Sequence, residues 1–327
     1  MSAVGVSSIC NALVDLLVPC EDKFLQSNDI HKGVMHLVDG KRQQQILDLL
    51  ESKDMSTHLG GSSLNALRAV AHLGGKAAFN GAIGRDQYGE LLVEKLNGLG
   101  INHSLGKHAE EPTGTCVVLI TPDGERTMNT CLGASRLYAA EDVDFDAIKS
   151  SQYFHFCGYQ WDTENQKDAI IKAIAVAKSS GVQISFDVAD PFVVDRNKND
   201  FLNIISESAD VVFANKEEAK MLYGCDGKEA ALQIAKSGAM GIVKMGADGA
   251  VISKDNKTTS VSAFPTTVLD TTAAGDMFAG GFLFGLINNQ TPEVCGKMAA
   301  RLAACVISRV GTEILPSTYD DVKAMML

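Results

Sequence analysis

From residue 60 onward, the sequence alternates between short β-branched or apolar runs and stretches with the apolar spacing of a helix. Residues 153–159 and 182–187 are two such runs, and a helical pattern over residues 164–179 separates them. Further runs at residues 211–214 and 241–245 each have a helical pattern nearby. Strands and helices in this order predict βαβ units, in which a mostly parallel sheet carries helices on both faces.

Four other runs look like strands without helices between them, at residues 14–18, 34–38, 115–121 and 126–132. The turn sequence PDGE at residues 122–125 joins the last two and predicts a hairpin. No linker rich in Pro, Gly and Ser divides the 327 residues. We therefore expect a small β subdomain inserted into one larger α/β body.

The balance of 29 basic and 40 acidic residues gives a formal net charge of −11. Such an acidic chain lacks the electrostatic footprint of a nucleic-acid or anionic-membrane binder, so we expect neither partner. The first residues lack the basic region of a signal peptide, and no window reaches the ~18 apolar residues of a membrane helix. Eight widely spaced cysteines without a CxxC pair are typical of reduced thiols. Together these features predict a cytoplasmic protein.

The most informative segment is TTVLDTTAAGDMFAGGFLFGL, at residues 266–286. A β-rich run ends at Asp270, a turn of small residues covers 271–275, and a helical pattern follows. Such a turn brings free backbone N–H groups and the positive end of a helix dipole to one point, which favours a phosphoryl group. Asp276 lies at this point and could accept a hydroxyl proton during phosphoryl transfer. The structural alternative is that Asp276 is an ordinary first-turn acid and Asp270 a helix cap.

A second Gly-rich turn before a helix occupies residues 60–84. Gly60 and Gly61 would let a ligand approach the backbone closely, and Ser62 and Asn65 lie in the first helical turn. Asn65 offers both a donor and an acceptor to a diol. The structural alternative is a tight turn followed by a capped helix.

Weaker signals lie elsewhere in the chain. Asn11 and Asp15 interrupt an apolar strand pattern and would be costly if buried without partners, which a polyhydroxylated ligand could supply. Asn215 and Glu218 follow an apolar run, where α/β proteins gather ligand sites, although helix capping alone would explain them. The turn KMGADG at residues 244–249 could bring a nucleotide close to the backbone or be a plain β-turn.

Several common site motifs are missing from the sequence. No Gly-Lys pair is followed by Ser or Thr as in a Walker A loop, and the histidines show no HExxH or paired metal spacing. No GxGxxG opens a helix, which argues against a nicotinamide-dependent Rossmann enzyme.

Taken together, these segments resemble the ribokinase-like (PfkB) family of carbohydrate and nucleoside kinases over nearly the whole chain. The sequence GGSSLNALRAVAHLGGKAAFNGAIGRDQYG is similar to the first family signature, and DTTAAGDMFAGGF is similar to the second, in the expected order. The segments NALVD, KGVMHLVD and GERTMNTCLGAS, at residues 11–15, 32–39 and 124–135, resemble bacterial adenosine kinase-like members.

The resemblance implies a three-layer α/β fold, with a mostly parallel central sheet, helices on both faces and a small β-sheet lid. A single kinase domain would span residues 1–327, and the lid would come from segments near 11–40 and 112–134. The implied activity is ATP- and Mg²⁺-dependent phosphorylation of a primary hydroxyl of a nucleoside, with adenosine as the leading candidate. A sugar kinase acting on ribose or a ketohexose and a catalytically silent nucleoside-binding protein are the alternatives. A monovalent cation is a further candidate cofactor, and both a monomer and a homodimer stay open.

The resemblance also implies roles for residues at matching positions. Asp276 would be the base that deprotonates the acceptor hydroxyl, and the amides of Ala273, Ala274 and Gly275 would form an anion hole. The acceptor would be held by Asn11, Asp15, Gly60, Gly61, Ser62 and Asn65, with Met35 and Leu132, and as further candidates Tyr159 or Trp161, against a nucleobase. ATP would lie along Asn215, Lys244, Gly246, Gly249 and Thr271. With Asn215, Glu218 would organise Mg²⁺ through water.

The sequence departs from the family pattern at two places, in the segment of the implied anion hole and in a stretch typical of sugar kinases. Position 273 is Ala where the family usually has Gly. If the backbone there has positive φ, alanine costs on the order of 1 kcal/mol, whereas a negative φ makes it harmless. Residues 187–191 read DVADP in place of the DPN-type stretch of many sugar kinases, which weakens a ribokinase assignment.

Overall fold

Two separate sheets organise the computed structural model, which describes residues 4–51 and 53–326. The strands in chain order are β1 (Val4–Ile9), β2 (Leu13–Pro19), β3 (Met35–Leu37), β4 (Ser56–Gly60), β5 (Ala77–Gly84), β6 (Asn102–His108), β7 (Gly114–Ile120), β8 (Arg126–Cys131), β9 (Ser151–Cys157), β10 (Gln183–Asp187), β11 (Val211–Asn215), β12 (Met240–Lys244), β13 (Ala250–Lys254) and β14 (Lys257–Val261). The α-helices are α1 (Asp22–Ser27), α2 (Gly40–Leu50), α3 (Ser62–His72), α4 (Gln87–Gly98), α5 (Phe145–Lys149), α6 (Glu164–Ser179), α7 (Pro191–Glu207), α8 (Lys216–Tyr223), α9 (Gly227–Lys236), α10 (Ala274–Ile287), α11 (Pro292–Val306) and α12 (Pro316–Ala324).

The larger sheet has the strand order β14-β13-β12-β11-β10-β9-β1-β5-β6. The strands from β12 to β6 in this order pair in parallel, whereas β13 and β14 add two antiparallel strands at one edge. The mostly parallel sheet predicted from the alternation of strands and helices is therefore confirmed.

Alternate side chains of these strands enter two apolar layers. In β11, Val211 and Phe213 belong to one buried cluster, whereas Val212 and Ala214 belong to the other. The first cluster includes residues of α3, α4, α10 and α11, and the second includes residues of α6, α7, α8 and α9. Because successive side chains of a strand point to opposite faces, a strand covered on both faces is apolar throughout. The three-layer arrangement predicted from the sequence is confirmed by these two layers.

The smaller sheet has the strand order β3-β8-β7-β2-β4. β7 and β8 form an antiparallel hairpin around residues 121–125, as the PDGE turn predicts. β2 lies between β7, its parallel neighbour, and β4, its antiparallel neighbour. Helix α2 packs on this sheet through Ile46 and Leu50, which share a buried cluster with Val14 and Leu16 of β2. We refer to these five strands as the small sheet.

No helix in the described ranges has both the length and the apolarity needed to cross a bilayer. All eight cysteines carry free thiols, and seven of them are buried.

Candidate active site

Three polar side chains end neighbouring strands of the larger sheet. Asp187 is the last residue of β10, Asn215 of β11 and Lys244 of β12, and Asn215 is in register with Lys244. Lys244 Nζ donates to both carboxylate oxygens of Asp187, over 3.1 and 3.3 Å. Ligands of open α/β sheets bind outside the carboxyl ends of the strands, so this edge is where a site is expected.

Helix α10 begins at this edge after a turn that Asp270 holds. Asp270 Oδ1 accepts the N–H of Thr272 over 2.9 Å, and its Oδ2 accepts the N–H of Gly311 over 3.0 Å. Ala273, immediately before the helix, has φ +58° and ψ 10°, in the left-handed region. Of the two possibilities that the sequence raises for Ala273, the strained one therefore applies, at a cost on the order of 1 kcal/mol.

The first turn of α10 combines several groups that suit an anion. Within the described residues, the N–H groups of Ala273 and Gly275 have no hydrogen-bond acceptor, whereas the N–H of Ala274 donates to the carbonyl of the exposed Thr271 over 3.3 Å. A Cβ on Gly275 would lie 3.0 Å from Lys244 Nζ, so the lysine ammonium is beside this turn. Free amides, the positive end of the helix dipole and an ammonium group together favour bound phosphate.

Asp276 is tied to α3 through both of its carboxylate oxygens. Ser62 Oγ donates to Asp276 Oδ1 over 2.7 Å, and Asn65 Nδ2 donates to Asp276 Oδ2 over 2.9 Å. Burial raises the pKa of Asp276 above its ordinary value, and the hydrogen bonds from Ser62 and Asn65 oppose that rise. The two Gly-rich turns singled out in the sequence therefore meet at one partly buried carboxylate.

At Gly60 and Gly61 the chain passes too close to residues 11–15 for any side chain to fit. A Cβ on Gly60 would lie 2.2 Å from Asp15 Oδ1, and a Cβ on Gly61, whose φ is +98°, would lie 2.4 Å from Asn11 O. Burial is the main reason that the pKa of Asp15 is raised to about 6. The structure thus places Asp15 and the backbone of Asn11 against the first Gly-rich turn.

The side chain of Asn11 has a protein partner. Gln166 Nε2 on α6 donates to Asn11 Oδ1 over 2.7 Å and to the carbonyl of Ser135 over 2.7 Å. Asn11 lies between β1 and β2, not within a strand, and it is buried. Its oxygen therefore needs no ligand to be satisfied.

Asn215 and Glu218 form a capping box at the start of α8. Asn215 Oδ1 accepts the N–H groups of Glu217 and Glu218, and Glu218 Oε2 accepts the N–H of Asn215 over 2.7 Å. Glu218 is buried, and this burial raises its pKa to about 7 while the nearby Lys244 opposes the rise. The capping interpretation is therefore correct for both residues. The buried Glu218 carboxylate also lies near Lys244.

Gly246 and Gly249 shape the tight turn between β12 and β13. Their φ angles are +65° and +87°, and a Cβ on Gly249 would lie 2.0 Å from Val261 O. Glycine is therefore needed at 249 for the turn itself, next to the strand end that carries Lys244.

The four apolar or aromatic candidates for a nucleobase contact are dispersed. Met35 of β3 is 46% exposed, and Leu132 follows β8. Burial is the main reason that the pKa of Tyr159 is raised, and the charge of Asp190 is the next. The charge of Asp276 raises this pKa as well, so Tyr159 lies near the site. Trp161 instead packs in the apolar core, and its Nε1 donates to Asp200 over 3.0 Å.

Neither Arg126 nor Asp187 stands out in the sequence as a site residue. Arg126 extends from β8 of the small sheet to the α10 turn, where it pairs with Asp270 over 2.7 Å and donates to Thr272 Oγ1 over 3.0 Å. The end of the run at 182–187 could have indicated Asp187, because it is a carboxylate at a strand's carboxyl end. No local pattern marks Arg126, whose contact depends on how the two sheets pack.

Among the described residues, no three His, Cys, Asp or Glu side chains cluster closely enough to hold a metal ion alone. Mg²⁺ bound with a nucleotide needs no such cluster, because it keeps several waters and uses one or two carboxylates with the phosphates. Glu218 and Asp187 are buried carboxylates at the same edge, so their oxygen donors fit Mg²⁺.

Comparison with known proteins places this arrangement among kinases. Residues 37–318 match the family model described as pfkB family carbohydrate kinase. A probable sugar kinase from Rhizobium etli superposes with a TM-score of 0.90 at 35% identity, covering 99% of each chain. The adenosine kinase from Sinorhizobium meliloti superposes with a TM-score of 0.87 at 34% identity, covering 98% of this chain and 99% of that one.

A third relative has a different acceptor in its name. The 5-dehydro-2-deoxygluconokinase of Listeria monocytogenes is 26% identical over 288 residues, which cover 84% of this chain and 89% of the relative.

Proposed function

Because the chain belongs to the pfkB family of carbohydrate kinases, whose members phosphorylate a hydroxyl group, we propose that it transfers the γ-phosphate of ATP to the primary hydroxyl of a nucleoside. The acceptor that we propose first is adenosine, with AMP and ADP as products. The observation that carries this proposal is Asp276, held by Ser62 and Asn65 beside the open amides of the α10 turn.

Asp276 would act as the general base. Each of its oxygens accepts one hydrogen bond from α3, so further lone pairs remain for the acceptor hydroxyl. Burial moves its pKa toward the working pH, where a base is most effective. Asp276 therefore takes the hydroxyl proton as the oxygen attacks the γ-phosphorus and the bond to the ADP leaving group breaks.

The groups around the α10 turn would stabilise the transferred phosphoryl. The amides of Ala273 and Gly275 and the ammonium of Lys244 carry positive charge at one point, where negative charge spreads over the phosphoryl oxygens. Lys244 is paired with Asp187 in this structure and would exchange that partner for phosphate.

ATP would lie along the strand ends that carry Asn215 and Lys244 and beside the turn at Gly246 and Gly249. Mg²⁺ would be held through water by Glu218. When bound, the ion supplies positive charge to the β- and γ-phosphate oxygens.

The ribose would lie on Asp15, Gly60, Gly61 and Asn65, which the fold gathers against Asp276. The small sheet would cover the acceptor as a lid, and the Arg126–Asp270 pair would hold that lid to the anion hole. A covered site excludes water, so phosphate passes to the acceptor and not to solvent.

Two observations bear on the choice between a nucleoside and a sugar. The 34% identity to an adenosine kinase over nearly the whole chain favours a nucleobase-bearing acceptor. The 35% identity to a probable sugar kinase supports a sugar as the second candidate acceptor.

The test is an acceptor panel of adenosine, inosine, ribose and fructose with ATP and Mg²⁺, read as ADP formation and by mass spectrometry of the product. Adenosine should give the highest kcat/KM, with AMP as the product. A preference for ribose or fructose would establish the sugar kinase. Binding of adenosine without product from any acceptor would establish the silent binding protein.

A further inference from the structure

Arg68 lies in the middle of α3 and is 4% exposed. Its Nη1 donates to Asn65 Oδ1 over 2.9 Å, to Thr312 Oγ1 over 3.0 Å and to Leu59 O over 3.3 Å. Its Nη2 pairs with Glu313. A buried guanidinium is costly unless its donors are satisfied, and here both terminal nitrogens have acceptors.

The contact with Arg68 determines which way the Asn65 amide points. Arginine can only donate hydrogen bonds, so the atom of Asn65 that faces it must be the oxygen. The Nδ2 group is then directed at Asp276 Oδ2, to which it donates over 2.9 Å. A rotated amide would place its oxygen against the Asp276 carboxylate and its NH₂ against the guanidinium, and both contacts would be repulsive.

Helix geometry makes this arrangement possible. Asn65 and Arg68 are three residues apart and so lie on the same face of α3. The acceptors beyond Arg68 come from a distant part of the chain, because Thr312 and Glu313 follow α11. The line of contacts therefore runs from Glu313 through Arg68 and Asn65 to Asp276.

We infer that Arg68 is a positioning residue for the transfer reaction: by occupying Asn65 Oδ1, it keeps the Asn65 amide as a donor to the catalytic carboxylate. The inference rests on the proposed function of Asp276 as the base. It also implies that Asn65 presents its NH₂ group, and not its oxygen, to an acceptor hydroxyl. The sequence predicts that Asn65 offers both a donor and an acceptor to a diol. The contact with Arg68 leaves only the donor for this purpose.

Loss of Arg68 should change the pH at which Asp276 becomes a base. The Asn65 hydrogen bond favours the charged carboxylate and opposes the rise in pKa that burial causes. Without Arg68 the amide is free to rotate, this bond weakens and the pKa of Asp276 rises further. Activity then requires a higher pH.

Loss of Arg68 would also act on Asp15, because the charge of Arg68 lowers the pKa of that carboxyl. The titratable groups that face Asp276 from other elements are Lys244 of β12, Asp187 of β10, Asp15 of β2, Cys10 after β1 and Tyr159 after β9. For Glu313, the contact with His58, which an Arg68 variant keeps, is the largest cause that lowers the pKa to about 2. A shift of the acid limb that persists when Asp15 is replaced by asparagine therefore reports on Asp276.

The test is the pH profile of kcat/KM for the preferred acceptor from pH 5 to 9, measured on the full chain and on Arg68→Met, each with Asp15 and with Asp15→Asn. The acid limb should move up by about one pH unit, so that activity along that limb falls about tenfold while activity at high pH is unchanged. Arg301→Met is the matched control, since it removes the arginine of another carboxylate pair, with Asp321, and should leave the profile unchanged.

If Arg68→Met fails to fold, Arg68→Lys replaces it, because a single nitrogen cannot serve Asn65, Thr312 and Glu313 together. A smaller shift in the same direction is expected. If the parent is active and the variant has the same pH profile, differing only in a lower melting temperature, the inference about Arg68 is overturned but the proposed function is not. A parent that turns over none of the acceptors would overturn the proposed function and the inference with it.

Discussion

Gly280 of α10 and Ala66 of α3 are in such close contact that a Cβ on Gly280 would lie 2.5 Å from Ala66 O. The two helices bear the two halves of the proposed catalytic arrangement, Asp276 on α10 and its hydrogen-bond donors on α3. The absence of a side chain at 280 therefore sets how near Asp276 comes to Ser62 and Asn65.

Gly280→Ala should push α10 away from α3. We expect a loss of about 1–3 kcal/mol in the free energy of unfolding, together with a lower kcat because the bonds to Asp276 lengthen. Denaturant unfolding and steady-state kinetics measure the two effects. Gly98→Ala in α4 is the control, since a Cβ there meets nothing within 4 Å and should be neutral or stabilising. Equal effects of the two substitutions would contradict the role of Gly280.

Asp276→Asn should keep the fold and acceptor binding but lower kcat by about 100-fold to 10,000-fold, because an amide cannot take the hydroxyl proton. Calorimetric binding of adenosine and the rate of ADP formation separate the two properties. Asp146→Asn removes an exposed first-turn carboxylate from α5 and should leave kcat unchanged. Near-normal turnover by Asp276→Asn would restore the interpretation of Asp276 as an ordinary first-turn acid.

Ala273→Gly should stabilise the protein by on the order of 1 kcal/mol, because glycine adopts the observed φ of +58° without the Cβ clash. Ala274→Gly, at the first helical position, is the control and should not stabilise. Chemical denaturation of both variants gives the comparison. A destabilised Ala273→Gly would show that the alanine side chain contributes packing that outweighs its backbone strain.

Arg126→Met should leave the buried Asp270 carboxylate without a positively charged partner, at a cost of about 3 kcal/mol or more in stability. It should also loosen the small sheet over the α10 turn and so raise ADP formation in the absence of an acceptor. A double-mutant cycle with Asp270→Asn measures the coupling. Strictly additive losses would show that the two side chains act independently.

The pKa of Asp15, raised to about 6 by burial, predicts a stability that depends on pH. The folded state binds the Asp15 proton more tightly than the unfolded state, so this group lowers stability as the pH rises from about 4 through 6. Asp15→Asn should therefore raise the melting temperature at pH 7.5 but not at pH 4, while weakening acceptor binding. Asp195→Asn, an exposed charge on α7, should show no such difference. A Tm gain of equal size at both pH values would contradict a raised pKa for Asp15.

Local patterns predict the parallel part of the larger sheet but not its antiparallel edge. Strand β14 is mostly polar, so its extended form depends on pairing with β13, which a local apolar pattern does not report. The turn between them offers a usable signal, because Asp255 and Asn256 both have left-handed φ angles that these residues tolerate. Strand β4 is also mostly polar, and its extended form likewise depends on pairing, in this case with β2.

The candidate site is predictable where a residue type and a turn sequence coincide, as at Asp276 and Gly61. The site is not predictable where a side chain contacts a residue that is distant in the sequence. Arg126 contacts Thr272, 146 residues away, and Arg68 contacts Thr312, 244 residues away. Neither partner can be inferred from neighbours in the sequence.

The bonds from Ser62 and Asn65 to Asp276 span 214 and 211 residues. No contiguous stretch shorter than this contains Asp276 and its donors, and closing so long a loop is entropically unfavourable until the intervening βαβ units have formed. We therefore expect the proposed active site to form only after α3 and α10 have packed together. Enzymatic turnover would then report the completed tertiary structure of the whole chain, whereas a helix or strand signal would report only its parts.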